Sequence, residues 1–138
     1  MSDVLEDRFE IEQNGEKREI FMSFGLLNEI TALMSEPAQA ASVYFNPVLR
    51  ERVLLAALHL RSKSGKIQET LASLDDVEIP ASDMEALLAW EVDHAIGFFT
   101  RSMDRVVKLK GALEELNQGA SSLNGSPASR SKKQSSGR

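Results

Sequence analysis

The longest regular pattern in the chain lies over residues 82–116. There Met84, Leu88, Val92, Ala95, Phe99, Val106, Leu109 and Leu113 fall within one stripe at 3.6 residues per turn. This spacing predicts an amphipathic helix. Its start is expected near Asp83, with Ser82 as cap, Glu85 three residues on completing a capping box, and Pro80 holding the preceding chain out of helix. Unbroken to Leu116, such a helix measures ~51 Å, longer than a domain of this size is wide. It must protrude, bend or pair with another molecule.

Upstream the pattern changes period. Phe9, Ile11, Ile20 and Met22 alternate with charged residues on either side of Asn14-Gly15, as in a β-hairpin with one apolar face. A two-residue turn sets Glu12 opposite Lys17 but Glu10 opposite Glu19; a four-residue loop sets Ile11 opposite Ile20 and Phe9 opposite Met22. The apolar pairing favours the second. Two strands alone are marginal, so the apolar face must lie on helices or extend another sheet.

Ser23 caps an expected first helix carrying Leu26, Leu27, Ile30, Leu33 and Met34, which ends before Pro37. Residues 38–44 read as a loop or a single helical turn. Asn46-Pro47 opens a further helix to about Leu60, striped by Leu49, Val53, Ala56, Ala57 and Leu60 and widened by Leu54, Leu55 and Leu58. It is expected to be the most buried element. The run 62–66 breaks it, and the spacing of Ile67, Leu71 and Leu74 predicts a short helix before Asp75-Asp76 turns the chain.

The fold class expected is mainly α with an α+β character: an N-terminal hairpin packed on a small helical bundle with a long C-terminal helix. The 138 residues with 42% apolar content suit one domain, placed at 1–118. Residues 119–138 are rich in Ser, Asn, Gly, Lys and Arg, with Leu123 the only large apolar side chain, and are expected to form a flexible basic extension.

Charge is segregated along the chain. All 21 acidic residues precede Gly119, as do 12 of the 16 basic ones, so the body carries −9 and the last twenty residues +4. An acidic body is a poor duplex binder, and no specific nucleic-acid partner is expected beyond weak binding by the tail. The absence of cysteine excludes disulfides, thiolate metal sites and a cysteine nucleophile, and is compatible with a reducing cytosol. The N-terminus is acidic and the longest apolar run, 53–58, is far short of the ~20 residues of a membrane span. A chain without export signal or membrane partner is the expectation.

Candidate chemistry is sparse. Gly65-Lys66 invites comparison with a phosphate-binding loop, but Leu60 stands where that motif needs its first glycine and Ile67 where it needs Ser or Thr. The two histidines, His59 and His94, fall on different expected helices. Glu91 and His94 have the Glu-x-x-His spacing of di-iron bundles, a fold that needs two such motifs and two further inward glutamates. Only one is present, so no catalytic, metal or cofactor residue is assigned and no enzyme activity or cofactor is expected.

A second line on the long helix is more informative. Leu87, Trp90, His94 and Phe98 lie about 100° around from the main stripe, and Arg101 and Arg105 continue them. Either Trp90 and Phe98 pack under the hairpin or the first helix, or the line is a groove for an apolar partner, with Leu87, Trp90, Phe98, Arg101 and Arg105 as contact residues. The opposite face, with Ala86, Ala89, Asp93, Gly97, Thr100, Asp104 and Gly111, allows close helix approach but equally suits solvent, and Gly97 equally a bend.

Two segments carry a resemblance. Residues 21–30, Phe-Met-Ser-Phe-Gly-Leu-Leu-Asn-Glu-Ile, follow a charged hairpin, and residues 87–99 read Leu-Leu-Ala-Trp-Glu-Val-Asp-His-Ala-Ile-Gly-Phe-Phe. Together, over roughly 9–110, they resemble the tail assembly chaperones of long-tailed, siphovirus-like bacteriophages. The resemblance implies a small, mostly helical protein of the host cytoplasm, absent from the mature virion. Such a protein binds the tape measure protein, keeps it soluble and helps bring tail tube protein to it. It implies no catalytic residues, leaves self-association open, and suggests a longer frameshifted form for which the tail would be a linker; Lys132-Lys133 is compatible with a run of adenines. The basic, serine-rich tail departs from the family's pattern and leaves its own partner open. A tail completion or connector subunit, which would remain in virions, and a small nucleic-acid-binding regulator are the alternatives.

Overall fold

A computed structural model describes residues 5–63 and 65–124, with side chains as far as Gly119. Strands β1 (Arg8–Gln13) and β2 (Glu16–Phe21) form an antiparallel hairpin. The turn has two residues, not four. Gln13 pairs with Glu16, Ile11 with Arg18 and Phe9 with Ile20, so the expected Ile11–Ile20 register is corrected by two residues. Asn14 at φ 55° and Gly15 at φ 83° supply the two left-handed residues that a tight hairpin turn requires. A two-residue slip leaves every side chain on the same face, so Ile11 and Ile20 are buried in either register. The choice is made at the turn, where the Asn14 N–H donates to the Glu78 carbonyl at 2.7 Å and the Glu78 N–H to Asn14 Oδ1 at 2.8 Å.

Helix α1 (Phe24–Met34) is capped by Ser23, whose hydroxyl accepts from the Leu26 N–H, and buries Leu26, Ile30 and Met34. A single turn, α2 (Gln39–Ser42), follows. Asn46 caps α3 (Pro47–Leu58), accepting from the N–H groups of Val48 and Leu49 with Pro47 at the first helical position. Val53, Leu54, Ala56, Ala57 and Leu58 are buried there, as the wide apolar stripe predicts.

The segment after α3 differs from expectation. Leu60 lies outside the helix, in the two-residue strand β3 (Leu60–Arg61), and the stretch expected to be a short helix contains strand β4 (Ile67–Glu69), paired antiparallel with β3. The short helical piece is a 3₁₀ turn at Leu74–Asp76. Arg61 explains the stop: its guanidinium turns back to donate to the Ala56 carbonyl, supplying a partner near the end of α3, and to the Gly65 carbonyl across the loop. His59 Nδ1 meanwhile accepts from the Leu71 N–H at 2.9 Å, fixing the returning chain.

Helix α4 (Ala81–Asn124) begins earlier and ends later than expected. The Met84 N–H donates to the Pro80 carbonyl, which places Ser82 inside the first turn, and Asp83 Oδ2 accepts from the Glu12 N–H of the hairpin. Residues 119–124 are helical; the rest of the expected flexible tail lies outside the described residues.

The chain divides into two compact units, Met1–Phe99 and Thr100–Arg138. In the first, the hairpin, α1, α3 and the opening turns of α4 share one core that includes Ile11, Ile20, Leu26, Ile30, Val53 and Leu88. The second, where described, is α4 alone. No helix among the described residues is long and apolar enough to cross a membrane.

Candidate functional site

The line Leu87, Trp90, His94 and Phe98 is largely covered. Leu87 is 0% exposed and Trp90 6%. The Trp90 ring stacks on Phe9 of β1 at 5.3 Å, its Nε1–H donates to the Glu6 carbonyl at 2.8 Å, and His94 stands edge-on to it at 5.1 Å with Nε2 2.8 Å from the same carbonyl. Leu87 and Trp90 are therefore core residues of the first unit, and the groove drawn through them is corrected. Helical periodicity identifies which residues share a face; Phe9 and Glu6, about eighty positions earlier in the chain, decide that this face is filled. Phe98 is half-buried, its ring 6.3 Å from Phe99.

Arg101 and Arg105 fall in the second unit and are exposed. They accompany an apolar line absent from the expected contact set. Met103, Val106, Leu109, Leu113 and Leu116 are each between 51% and 69% exposed. The spacing that buries Leu88, Val92 and Ala95 in the first unit continues through Val106, Leu109 and Leu113, but those three find no cover among the described residues. The first unit has exposed aromatics of its own: Phe45, 85% exposed between α2 and α3, with Tyr44 and Val48 beside it in sequence, and Phe24 at the start of α1.

Glu91 is the other feature that sequence reasoning missed. It is fully buried in the first unit, and neither carboxylate oxygen has a hydrogen-bond partner among the described residues. Burial pushes its carboxyl well above the ordinary carboxylate range; Glu29 adds to the shift and Arg61 opposes it. Glu29 itself pairs with Arg61. Glu91 thus belongs to the core while His94 turns to the Glu6 carbonyl, so the Glu-x-x-His pair does not act as one ligand set. Among the described residues no cluster of His, Asp or Glu is placed to hold a metal ion.

A cleft of about 580 Å³ is lined by Arg8, Arg18, His59, Arg61 and Lys63 with Glu19, among others. Its arginines are already engaged. Arg18 donates to Gln13 Oε1 and the His59 carbonyl, Arg61 to Ala56, Gly65 and Glu29, and Arg8 pairs with Glu19 while lying 4.6 Å over the Phe21 ring. Burial lowers the Arg18 pKa, and it lowers that of His59, whose Nδ1 is held as an acceptor by Leu71. Through its bond to the His59 carbonyl, Arg18 joins the hairpin to the end of α3. Gly65, the residue that suggested a phosphate loop, packs against Gly25.

No protein-family model, no curated protein and no solved structure matches the chain.

Proposed function

We propose that this protein works by binding another protein, not by catalysis, as a phage tail assembly chaperone. In this reading it holds an amphipathic helical stretch of the tape measure protein, keeps it soluble in the host cytoplasm and helps deliver tail tube protein to it. The observation that carries the reading is the line Met103, Val106, Leu109, Leu113 and Leu116 on α4, exposed over its whole described length and accompanied by Arg101 and Arg105. An apolar helix face with basic neighbours can cover the apolar face of a second helix, and a few buried anchors supply most of the affinity in such pairings. The resemblance of residues 21–30 and 87–99 to the chaperone family names the client.

Covering the client's apolar stripe blocks its self-association until tube subunits replace the chaperone. Because Leu87 and Trp90 are core residues, the anchors move to Leu109 and Leu113, with Arg101 and Arg105 at the polar margin.

Co-expression with the tape measure protein of the same genome tests the reading. The unaltered chain is expected to keep the client soluble, while Leu109→Asp or Leu113→Asp weakens binding by more than ~1 kcal/mol without unfolding the chaperone. Failure of the unaltered chain to bind the client, or recovery of the chain from purified virions, overturns it.

A further inference from the structure

The cleft beside β2 reverses the charge of the chain around it. Among the described residues, Arg8, Arg18, Arg61 and Lys63 line it against the carboxylate of Glu19, a net +3, whereas residues 1–118 together carry −9. Arg8 is matched by Glu19 and Arg61 by Glu29, but Arg18 and Lys63 have no carboxylate partner among the described residues. The half-buried Arg18 guanidinium donates to two neutral acceptors, Gln13 Oε1 at 2.7 Å and the His59 carbonyl at 3.3 Å. Those bonds leave three of the five N–H groups of a guanidinium uncommitted. Drawing a cation partly out of water without a counter-charge costs free energy that an arriving carboxylate offsets.

One wall of the cleft is an open strand edge. The hairpin sheet has only β1 and β2, so β2 has a side that no strand covers. Directly opposed residues of an antiparallel pair alternate between bonding each other and turning their backbone groups outward. The Met22 N–H donates to the Asp7 carbonyl at 2.7 Å, so by that alternation Arg18 and Ile20 bond to β1 while Glu19 and Phe21 face away from it. The outward groups are the N–H and carbonyl of Glu19 and the N–H of Phe21; the Phe21 carbonyl is taken by the Ser23 N–H. Four successive residues of β2, Arg18 to Phe21, line the cleft but only Arg8 of β1, which puts the open edge on the cleft side. Phe21 and Leu60 add exposed apolar surface there.

We infer that this cleft binds an extended acidic segment of a partner protein, which adds to the open edge of β2 as a third strand. Main-chain bonds to Glu19 and Phe21 hold such a strand, and its alternating side chains select the sequence. Arg18 shares a face of the hairpin with Ile11 and Ile20, whereas Glu19 and Phe21 lie on the other. Carboxylates of the added strand therefore belong on the Arg18 face. On the opposite face Glu19 repels a carboxylate and Phe21 accepts an apolar side chain, so acidic and apolar residues alternate in the ligand. A nucleic acid suits the site less well, because a polyanion longer than the cleft would run onto a body of net −9. The site lies in the first unit and stands without the client reading of α4. A short peptide tests the one and co-expression the other.

The experiment titrates the full chain into a fluorescein-labelled hexapeptide of alternating Glu and Val, blocked at both ends, and reads anisotropy. Saturable binding is expected, weakened ~10-fold or more when every Glu of the peptide becomes Gln. Methylating one alternate set of the peptide's backbone nitrogens should abolish binding while methylating the other set leaves it, the signature of a strand bonded along one edge. Lys63→Glu changes an exposed side chain without a partner and should weaken binding by ~5-fold at an unchanged melting temperature. Arg18→Gln should weaken it by ~10-fold or more, with the emission of Trp90, the only tryptophan, reporting whether the first unit stays folded. If that variant unfolds, Lys63→Glu decides. No saturable binding at ~1 mM peptide overturns the inference. So do equal binding of the Gln peptide, equal response to the two methylation patterns, or indifference to Lys63→Glu. Displacement of the peptide by an oligothymidylate of equal charge overturns it in favour of nucleic acid.

Discussion

Gly25 and Gly65 meet backbone to backbone: a Cβ built on Gly25 would stand 2.7 Å from the Gly65 carbonyl oxygen, and one on Gly65 2.6 Å from Ser23 Oγ and 2.9 Å from the Gly25 backbone. The contact binds the first turn of α1 to the loop that follows β3, the same loop whose Gly65 carbonyl accepts from Arg61.

Gly25→Ala is accordingly expected to destabilise the protein by ~1–3 kcal/mol, because the obstructing atoms are backbone and cannot rotate away. Gly65→Ala should cost more, since Gly65 also sits at φ +98°, where a side chain adds strain of its own. Urea denaturation measures both, and unchanged midpoints would mean that the loop does not pack on α1 in solution.

Trp90→Ala should cost ~3–5 kcal/mol, the range for emptying a buried aromatic site, and appear as loss of fold in circular dichroism. Trp90→Phe keeps a ring against Phe9 but removes the donor to the Glu6 carbonyl, so a loss nearer ~1 kcal/mol is expected. If Trp90→Ala instead left the fold intact and abolished only client binding, Trp90 would be a contact residue after all.

The buried carboxyl of Glu91 gives stability a pH slope. Its folded pKa lies above the unfolded value of about 4.5, so the folded state holds the proton more tightly. The stability associated with the neutral acid is complete below 4.5 and is lost as pH rises through the folded pKa. Glu91→Gln, which cannot ionise, should flatten that decline and be more stable than the unaltered protein at pH 8. Lower stability of the variant at pH 8 would mean that Arg61 holds Glu91 ionised.

His59 slopes the other way. Burial lowers its pKa from 6.5, and Arg61 and Arg18 lower it further against the opposing pull of Glu29. The stability tied to the neutral ring is complete above 6.5 and is lost as pH falls from there toward the folded value, where protonation also breaks the bond from the Leu71 N–H. Melting curves between pH 5 and 7 in the Glu91→Gln background, free of the carboxyl slope, should show this loss, and His59→Gln should abolish it. An identical slope in both would assign it to another group.

The helical starts of α1 and α3 were readable from residues alone because their signals are local: Ser23 and Asn46 cap their own helices through N–H groups two or three positions away. The same holds for the faces of the hairpin, since side-chain alternation does not depend on what the strands meet. Its register was not readable, because the two candidates differ by two residues and keep the same face buried. The tie was decided by turn geometry at Asn14-Gly15 and by bonds to Glu78, 64 positions away. Residues 60–61 and 67–69 lack a local signal strong enough to exclude helix, and form strands because Arg61 and His59 bond to α3 and to the returning chain.

For the candidate surface, sequence determined that α4 carries apolar stripes flanked by arginines; only the tertiary structure decided which part of them is free. Leu87 is buried and Trp90 lies against Phe9 and the backbone at Glu6, while Val106, Leu109 and Leu113, with the same periodicity, meet no cover among the described residues. Glu91 shows the same limit from the polar side: a glutamate on a helix reads as solvated until the elements packed around it are known. Periodicity is a property of one helix, whereas burial is a property of what the rest of the chain brings to it.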